Sequence, residues 1–302
     1  DTELGNVNIG YGMDDSTESA KLSVIGNSKL GYTYVGQDNV SDSVYSLTFT
    51  TAEGQQATVD QMYIRQNGEV TVSKASNVKT SYVDLGGTLR FNHSATGPNA
   101  LLVVGGVNGD GPATASGLIY MTGEGSYFEA ESVQLKDKTD ATIGEIAFKL
   151  YDGATAVIRD TITVGKGTEL LISGSNLGAC SVIAKNVIHN GEMTICGWSE
   201  LTAENITVSA GAKIWGMSGS MITVTNSLVV ENYGDLYFTI GTVAGDVDVV
   251  ALIKGYEGID YTNVDVTSSE GYVKVVGNDN NLYAMRGDSS TLYANAAWTG
   301  HE

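Results

Sequence analysis

The sequence has little proline, little arginine and few cysteines. Its 2 Pro stand beside 38 Gly and many Thr, Val, Ser and Asn residues, a composition that favours short strands joined by tight turns over helices. No apolar run approaches the roughly 18 residues that cross a membrane, so we expect no membrane insertion of this chain. With 16 basic against 35 acidic residues, its surface should repel phosphate backbones, which excludes nucleic acid as a partner.

What the sequence does contain is a repeat. Segments that begin at Asp160, Asn186, Asn205 and Asn226 share one plan, in which an alternating apolar run is followed by a loop, a Gly and a second run. The positions of the glycines that open the second run differ by 24, 20 and 23 (191−167, 211−191, 234−211). Repeats of this length predict an all-β parallel β-helix, a solenoid with coils of about 20–24 residues.

Stacked coils would place equivalent turn residues above one another. We therefore predict a structural ladder of Asn186, Asn205 and Asn226, because Asn can bond its own backbone or the next Asn and tolerates left-handed backbone angles. The alternative is a β-sandwich in which Asn and Gly mark unrelated hairpin turns.

The ends of the chain are less regular than its centre. We predict an N-terminal cap or irregular segment over 1–43, a β-helix over 44–242, closing strands over 243–285 and a tail over 286–302, since a solenoid needs capped ends. The chain begins at Asp1 rather than at Met, so we expect that a leader was removed or the sequence trimmed.

The closing segment carries a family resemblance. Val249–Ile253, Tyr272–Val276 and Leu282–Met285 resemble the last strands of passenger domains in bacterial autotransporters, and the preceding Gly-led repeats are similar to the repeats of those passengers. The resemblance implies a right-handed parallel β-helix that is secreted or displayed on a Gram-negative cell surface. The membrane β-barrel of that family has no counterpart in the short stretch after Met285, so we expect that it was cleaved or excluded, or that this is a free-standing secreted relative.

Catalytic patterns are not found in the sequence. The three histidines, His93, His189 and His301, are too scattered for a zinc motif, and His189 is expected on the solenoid surface. No motif of carbohydrate-cleaving β-helices is present, and Arg is too scarce to suggest a lyase base. We predict that the chain is not an enzyme and needs no cofactor, with a polysaccharide lyase or hydrolase as the alternative.

Four weaker features point to candidate sites. Cys180 and Cys196 are separated by less than one coil and could form a disulfide between neighbouring coils or remain free thiols. Trp198 and Trp215 could stack on a ligand or pack in the core. Arg286, Gly287 and Asp288 form a tripeptide that integrins recognise, in a predicted polar loop.

The fourth feature is a pair of oxygen-rich loops. Residues 106–111 and 277–281 resemble calcium loops without the full ligand spacing, so any metal site stays undefined, although the acidic surface favours loose Ca²⁺ binding.

Three functions follow from these observations. The first is a surface adhesin or passenger that binds a glycan or a cell-surface protein. The second is a structural subunit of an extracellular filament or layer, in which copies of the chain join end to end. The third is the polysaccharide-processing enzyme.

Overall fold

The computed structural model describes residues 2–10, 19–37, 43–106, 111–209, 211–216, 221–230 and 235–238, with short segments at 253–254, 265–267, 271–276, 282–287 and 291–293. Every regular element in these residues is a strand. The strands are β1 (Thr2–Leu4), β2 (Val7–Ile9), β3 (Ala20–Ile25), β4 (Ser28–Val35), β5 (Tyr45–Thr50), β6 (Ala57–Ile64), β7 (Gly68–Val72), β8 (Val78–Thr80), β9 (Tyr82–Leu85), β10 (Thr88–Asn92), β11 (Thr96–Val104), β12 (Gly117–Thr122), β13 (Tyr127–Leu135), β14 (Ile146–Tyr151), β15 (Thr155–Val164), β16 (Glu169–Ser173), β17 (Ser181–His189), β18 (Glu192–Cys196), β19 (Glu200–Val208), β20 (Lys213–Gly216), β21 (Met221–Val230), β22 (Asp235–Phe238), β23 (Ile253–Lys254), β24 (Asp265–Thr267), β25 (Gly271–Val276), β26 (Leu282–Gly287) and β27 (Thr291–Tyr293).

The strands form two large sheets. The larger sheet runs β1-β4-β6-β9-β11-β13-β15-β17-β19-β21-β23-β25-β26, with β2 and β8 attached, and the smaller sheet runs from β3 through β5, β7 and the even-numbered strands from β10 to β22. Neighbouring strands in the described residues are parallel except for the pairs β25–β26 and β24–β27. The predicted all-β class is confirmed.

The chain alternates between the two sheets. In the smaller sheet Ala147, Glu169, Glu192, Lys213 and Asp235 occupy one register position in successive strands. Their positions advance by 22, 23, 21 and 22 (169−147, 192−169, 213−192, 235−213). One circuit through both sheets in this part of the chain therefore has the length of one solenoid repeat.

Two earlier circuits are longer. Thr88 pairs with Leu118 and Leu118 pairs with Ala147, so the position advances by 30 and then by 29 (118−88, 147−118). The additional residues lie in the connections 105–116 and 136–145, which lead from the larger sheet to the smaller one. The strands on either side keep their pairing, so these connections absorb the extra length.

The N-terminal segment 1–43 contains four strands. Strand β3 pairs with β5 in the smaller sheet, and β4 pairs with β6 in the larger one. Parallel pairing therefore extends into the segment that the sequence suggested was a cap or irregular.

The long strands of the larger sheet bend near their centres. In β15 the alternation of buried and exposed residues is interrupted at Arg159 and Asp160, which are both exposed, and the registers of β11, β13, β15 and β19 shift at the same level. The bend divides each long strand into two arms, and each arm keeps one buried face. We call this line the bend of the larger sheet.

The inward faces enclose one hydrophobic core. Phe91, Phe128 and Phe148 come from successive circuits and are fully buried. Their rings lie 5.6 Å (Phe91–Phe128) and 5.0 Å (Phe128–Phe148) apart in tilted or edge-on contacts, the geometry that aromatic quadrupoles prefer. Inward side chains thus pack against one another from circuit to circuit in the core. Only the outward side chains are available to form a binding site.

Candidate functional site at the bend of the larger sheet

A groove follows the bend of the larger sheet across strands β4, β6, β8 and β11. It is open to solvent and has a volume of about 500 Å³, which is within the size range of small-ligand pockets. We call it the bend groove, and its lining residues are Tyr32, Thr58, Val59, Asp60, Gln61, Lys79, Thr80, Ser81 and Asn99. Most of these side chains are polar.

The groove exists because the strands are locally irregular. Ser81 separates β8 from β9, and its hydroxyl donates a hydrogen bond to the carbonyl of Asp60 (2.5 Å). Asn99 has a φ of +58°, a left-handed conformation that Asn tolerates better than most residues. The register shifts at this residue, since Pro98 and Ala100 pair with the consecutive residues Glu129 and Ala130. These irregularities turn polar groups toward one line on the outer surface.

One tyrosine, Tyr32, lines the groove, and a row of three more lies beside it. Tyr32 is 44% exposed, so its ring is open to a ligand. Beside it, Tyr34 and Tyr63 stack with ring centroids 4.7 Å apart and planes 10° apart, and Tyr82 lies 6.0 Å from Tyr63. The Tyr63 hydroxyl donates to Gln61 Oε1 (2.7 Å). Stacking covers ring faces of Tyr34, Tyr63 and Tyr82, so this row presents ring edges and hydroxyl groups to the outside. Tyr32 supplies the accessible ring.

Charges balance within the groove. Lys79 and Asp60 are both exposed, and Lys29 on the adjacent strand is 3.1 Å from Glu3. A hydrogen bond from Lys29 to Glu3, together with the charges of Glu3 and Asp60, raises the pKa of Lys29. One cation and one anion in the groove, inside a chain of net charge −19, suit a neutral ligand with hydroxyl groups better than a strongly charged one.

Burial raises the pKa values of Tyr63 and Tyr82, and the nearby charge of Asp84 raises both further. Both phenols therefore stay protonated at neutral pH. They are hydrogen-bond donors as well as acceptors at the edge of the groove.

A buried charged cluster lies behind the tyrosine row. Arg65 is 6% exposed and Asp84 is fully buried. Arg65 Nη1 lies 3.8 Å from Asp84 Oδ2, and its guanidinium carbon is 5.8 Å from the Tyr63 ring centroid. Lys136 is a further buried charge (3% exposed), and its Nζ donates to the carbonyl of Gly106 (3.5 Å). Sequence reasoning missed this cluster, whose one signal was an Asp inside the apolar strand β9.

The predicted asparagine ladder is brought together at two of its three positions. Asn186 and Asn205 pair in register, and Asn205 Nδ2 donates to Asn186 Oδ1 (2.9 Å). Asn186 Nδ2 donates in turn to Asp160 Oδ1 (3.3 Å). The register then shifts by one residue, so Ser227 rather than Asn226 is the neighbour of Asn205.

Cys180 and Cys196 are both free thiols, so the candidate disulfide does not form. Cys180 is buried at the start of β17, where its N–H donates to Ser199 Oγ (3.0 Å). Cys196 ends β18 at an outward position beside buried Ile195. The two side chains thus lie on different sides of the sheet surface. Burial raises the pKa of the Cys180 thiol, which keeps it protonated and unreactive.

The two tryptophans occupy different environments. Trp215 is half-buried in β20 and pairs with Thr194 and Tyr237. Trp198 lies in the connection between β18 and β19, is 71% exposed and has a φ of +63°. For a bulky residue this conformation costs on the order of 1 to 2 kcal/mol.

Other predicted residues are placed as follows. Arg286 and Gly287 belong to β26 and pair with Tyr272 and Gly271, so they lie in a strand and not in the predicted loop, while Asp288 is outside the described residues. The expected surface position of His189 is wrong, because it is fully buried between the inward residues Val164 and Val208.

The described residues contain neither a group of metal ligands nor a membrane-spanning helix. No three His, Cys, Asp or Glu side chains there converge as metal ligands. Two candidate calcium loops were predicted, at 106–111 and 277–281. Residues 107–110 of the first loop and all of the second lie outside the described residues. No helical segment capable of spanning a bilayer occurs in this part of the chain.

Comparison with family models, with curated proteins and with solved structures finds no match. The functional argument therefore depends on the groove and its surroundings.

Proposed function

We propose that this chain is a secreted or cell-surface protein of the autotransporter passenger type, built as a right-handed parallel β-helix, which binds a neutral glycan in the bend groove. The observation that carries the proposal is the groove itself, in which an exposed tyrosine ring faces hydroxyl, amide, carboxylate and ammonium groups. Sugars present both apolar C–H faces and hydroxyl groups, so they match an aromatic ring beside polar groups.

The β-helix is supported by the alternation of the chain between two parallel sheets. Each strand of the smaller sheet is followed by one in the larger sheet, and the register advances by one strand in each circuit. A solenoid of this kind is long and stiff, and it offers its outer face for recognition. Passenger-type display is suited to such a shape.

The binding residues suggest a test that leaves the fold intact. Tyr32→Ala removes the exposed ring, and Asn99→Gly removes an amide while keeping the left-handed backbone that Asn99 adopts. Each loss should weaken binding about tenfold, equivalent to about 1.4 kcal/mol, and the double variant about 100-fold if the effects add.

The experiment is a glycan array with the purified protein, followed by calorimetric titration of the bound sugars. The control is Ile188→Ala, which removes an exposed apolar side chain of the same sheet (40% exposed) and should leave affinity unchanged. Equal affinity in the intact protein and the double variant would exclude the groove as the site. An absence of binding to every glycan on the array would overturn the proposed function.

A further inference from the structure

Trp198 has a largely exposed side chain, at 71%. An exposed side chain gains little from burial, and Trp gains nothing from a left-handed backbone. Local stability therefore does not explain a tryptophan at this position. Strained residues of this kind concentrate at sites of function.

The turn around Trp198 is held firmly. Ser199 is fully buried, and its Oγ accepts hydrogen bonds from the N–H groups of Gly174 (2.8 Å) and Cys180 (3.0 Å). Gly197 and Gly174 approach so closely that a Cβ on either would meet the backbone of the other. The backbone that carries the indole is thus fixed, which lowers the entropy cost of ordering this turn on binding.

The connection next to that of Trp198 carries one apolar and one polar exposed side chain. The neighbouring connection, between β16 and β17, carries Leu177 (66% exposed) and the exposed Asn176. Hydrogen bonds from Gly174 to Cys196 (3.1 Å) and to Ser199 bind this connection to that of Trp198. Indole, leucine and amide are thus offered by two adjacent connections.

The size of this surface selects the class of ligand. An indole that is 71% exposed offers on the order of 180 Å², taking about 250 Å² for a whole tryptophan side chain. A stable protein partner buries about 800 Å² on each side. The area offered by one indole ring is too small for a protein partner, and it matches the contact area of a single sugar unit.

We propose that Trp198 is a second sugar-binding subsite, separate from the bend groove, and that the protein grips a long neutral glycan at both places. This inference rests on the proposed glycan-binding function. Six strand spacings separate β6, at the groove, from β19, which follows Trp198, and at 4.7 to 4.9 Å each they amount to about 29 Å. A polymer that reaches both sites binds more tightly than a short oligosaccharide because its second contact is intramolecular.

The test compares two kinds of probe on five proteins. The probes are soluble neutral polysaccharides (a β-glucan, a xylan and a galactan) and the trisaccharide derived from each. The proteins are the intact chain, Trp198→Asn, Trp198→Phe, the groove variant Tyr32→Ala/Asn99→Gly and the groove variant with Trp198→Asn added. Asparagine accepts the left-handed backbone, so Trp198→Asn should melt at or above the temperature of the intact protein, and phenylalanine keeps an aromatic face.

We expect Trp198→Asn to bind the polysaccharide at least 10-fold more weakly while keeping its affinity for the trisaccharide at the groove. Trp198→Phe should stay within about 3-fold of the intact protein. In the groove variant, the trisaccharide should still change tryptophan fluorescence, and adding Trp198→Asn should remove that change.

The outcomes separate the two proposals. Unchanged polysaccharide affinity in Trp198→Asn would overturn the second subsite and leave the groove standing. A fluorescence change that persists in the groove variant, together with unweakened trisaccharide binding, would overturn the groove and support Trp198. If the intact protein binds none of the probes, both proposals fail.

Discussion

Replacing Asp84 with asparagine is expected to lower the free energy of unfolding by about 3 to 5 kcal/mol, the range found when one member of a buried ion pair is removed. Asp84 is fully buried and Arg65 is 6% exposed, with Arg65 Nη1 3.8 Å from Asp84 Oδ2. Without the carboxylate, the guanidinium charge of Arg65 remains in a region that water scarcely reaches. Urea denaturation of the two proteins at neutral pH measures the difference.

The control for Asp84→Asn is Asp60→Asn, which removes an exposed carboxylate of the neighbouring strand β6. Its effect should lie within about 0.5 kcal/mol. The double variant Arg65→Met/Asp84→Asn should recover part of the loss, since it removes a cation together with the anion. If Asp84→Asn cost less than about 1 kcal/mol, well below the range for a broken buried pair, the idea that this carboxylate balances the buried charge of Arg65 would be abandoned.

Adding one methyl group at Gly87 is expected to destabilise the protein by about 3 kcal/mol or more, at the upper end of the range for overpacking. A Cβ on Gly87 would lie 2.2 Å from the carbonyl oxygen of Arg65 and 2.3 Å from that of Gly68. Both atoms belong to the backbone of the preceding circuit and cannot rotate away. The same reasoning applies to Gly191→Ala, where the oxygens of Gly165 and Thr168 would lie at 2.3 and 2.6 Å.

Gly5→Ala is the matched control for these substitutions, because a Cβ added at Gly5 would have no atom within 4 Å and its φ is not in the left-handed range. Its effect should stay within about 0.5 kcal/mol. Thermal melting of the three variants gives the comparison. Similar melting temperatures for Gly87→Ala and the intact protein would show that the circuits can move apart at this corner.

The sequence pattern predicted where strands occur, but it did not predict why each glycine of the repeat is needed. Gly167, Gly191 and Gly211 marked the repeat because Gly opens turns, and Gly167 and Gly211 do have left-handed backbones. Gly191 does not, and it is required because two circuits approach closely there. Close approach between circuits depends on their stacking, which spacing in a single chain does not reveal.

The site was less predictable than the fold. The groove combines Tyr32, Asp60, Ser81 and Asn99 from separate circuits, and none of these residues stands out from its neighbours in the sequence. Their convergence results from register shifts at the bend, which local patterns do not encode. His189 shows the same limit, since its inward position depends on the phase of alternation between Val164 and Val208.

The variable connections on one side of the sheets have a consequence for how such a molecule can diversify. From the larger sheet to the smaller one the chain takes the long connections 105–116 and 136–145 after β11 and β13, but only Asn190 and Gly191 after β17. The paired strands keep their neighbours in all three cases. Length and sequence at this corner are thus separable from the framework, so new surface segments can be exchanged there while the sheets keep their pairing.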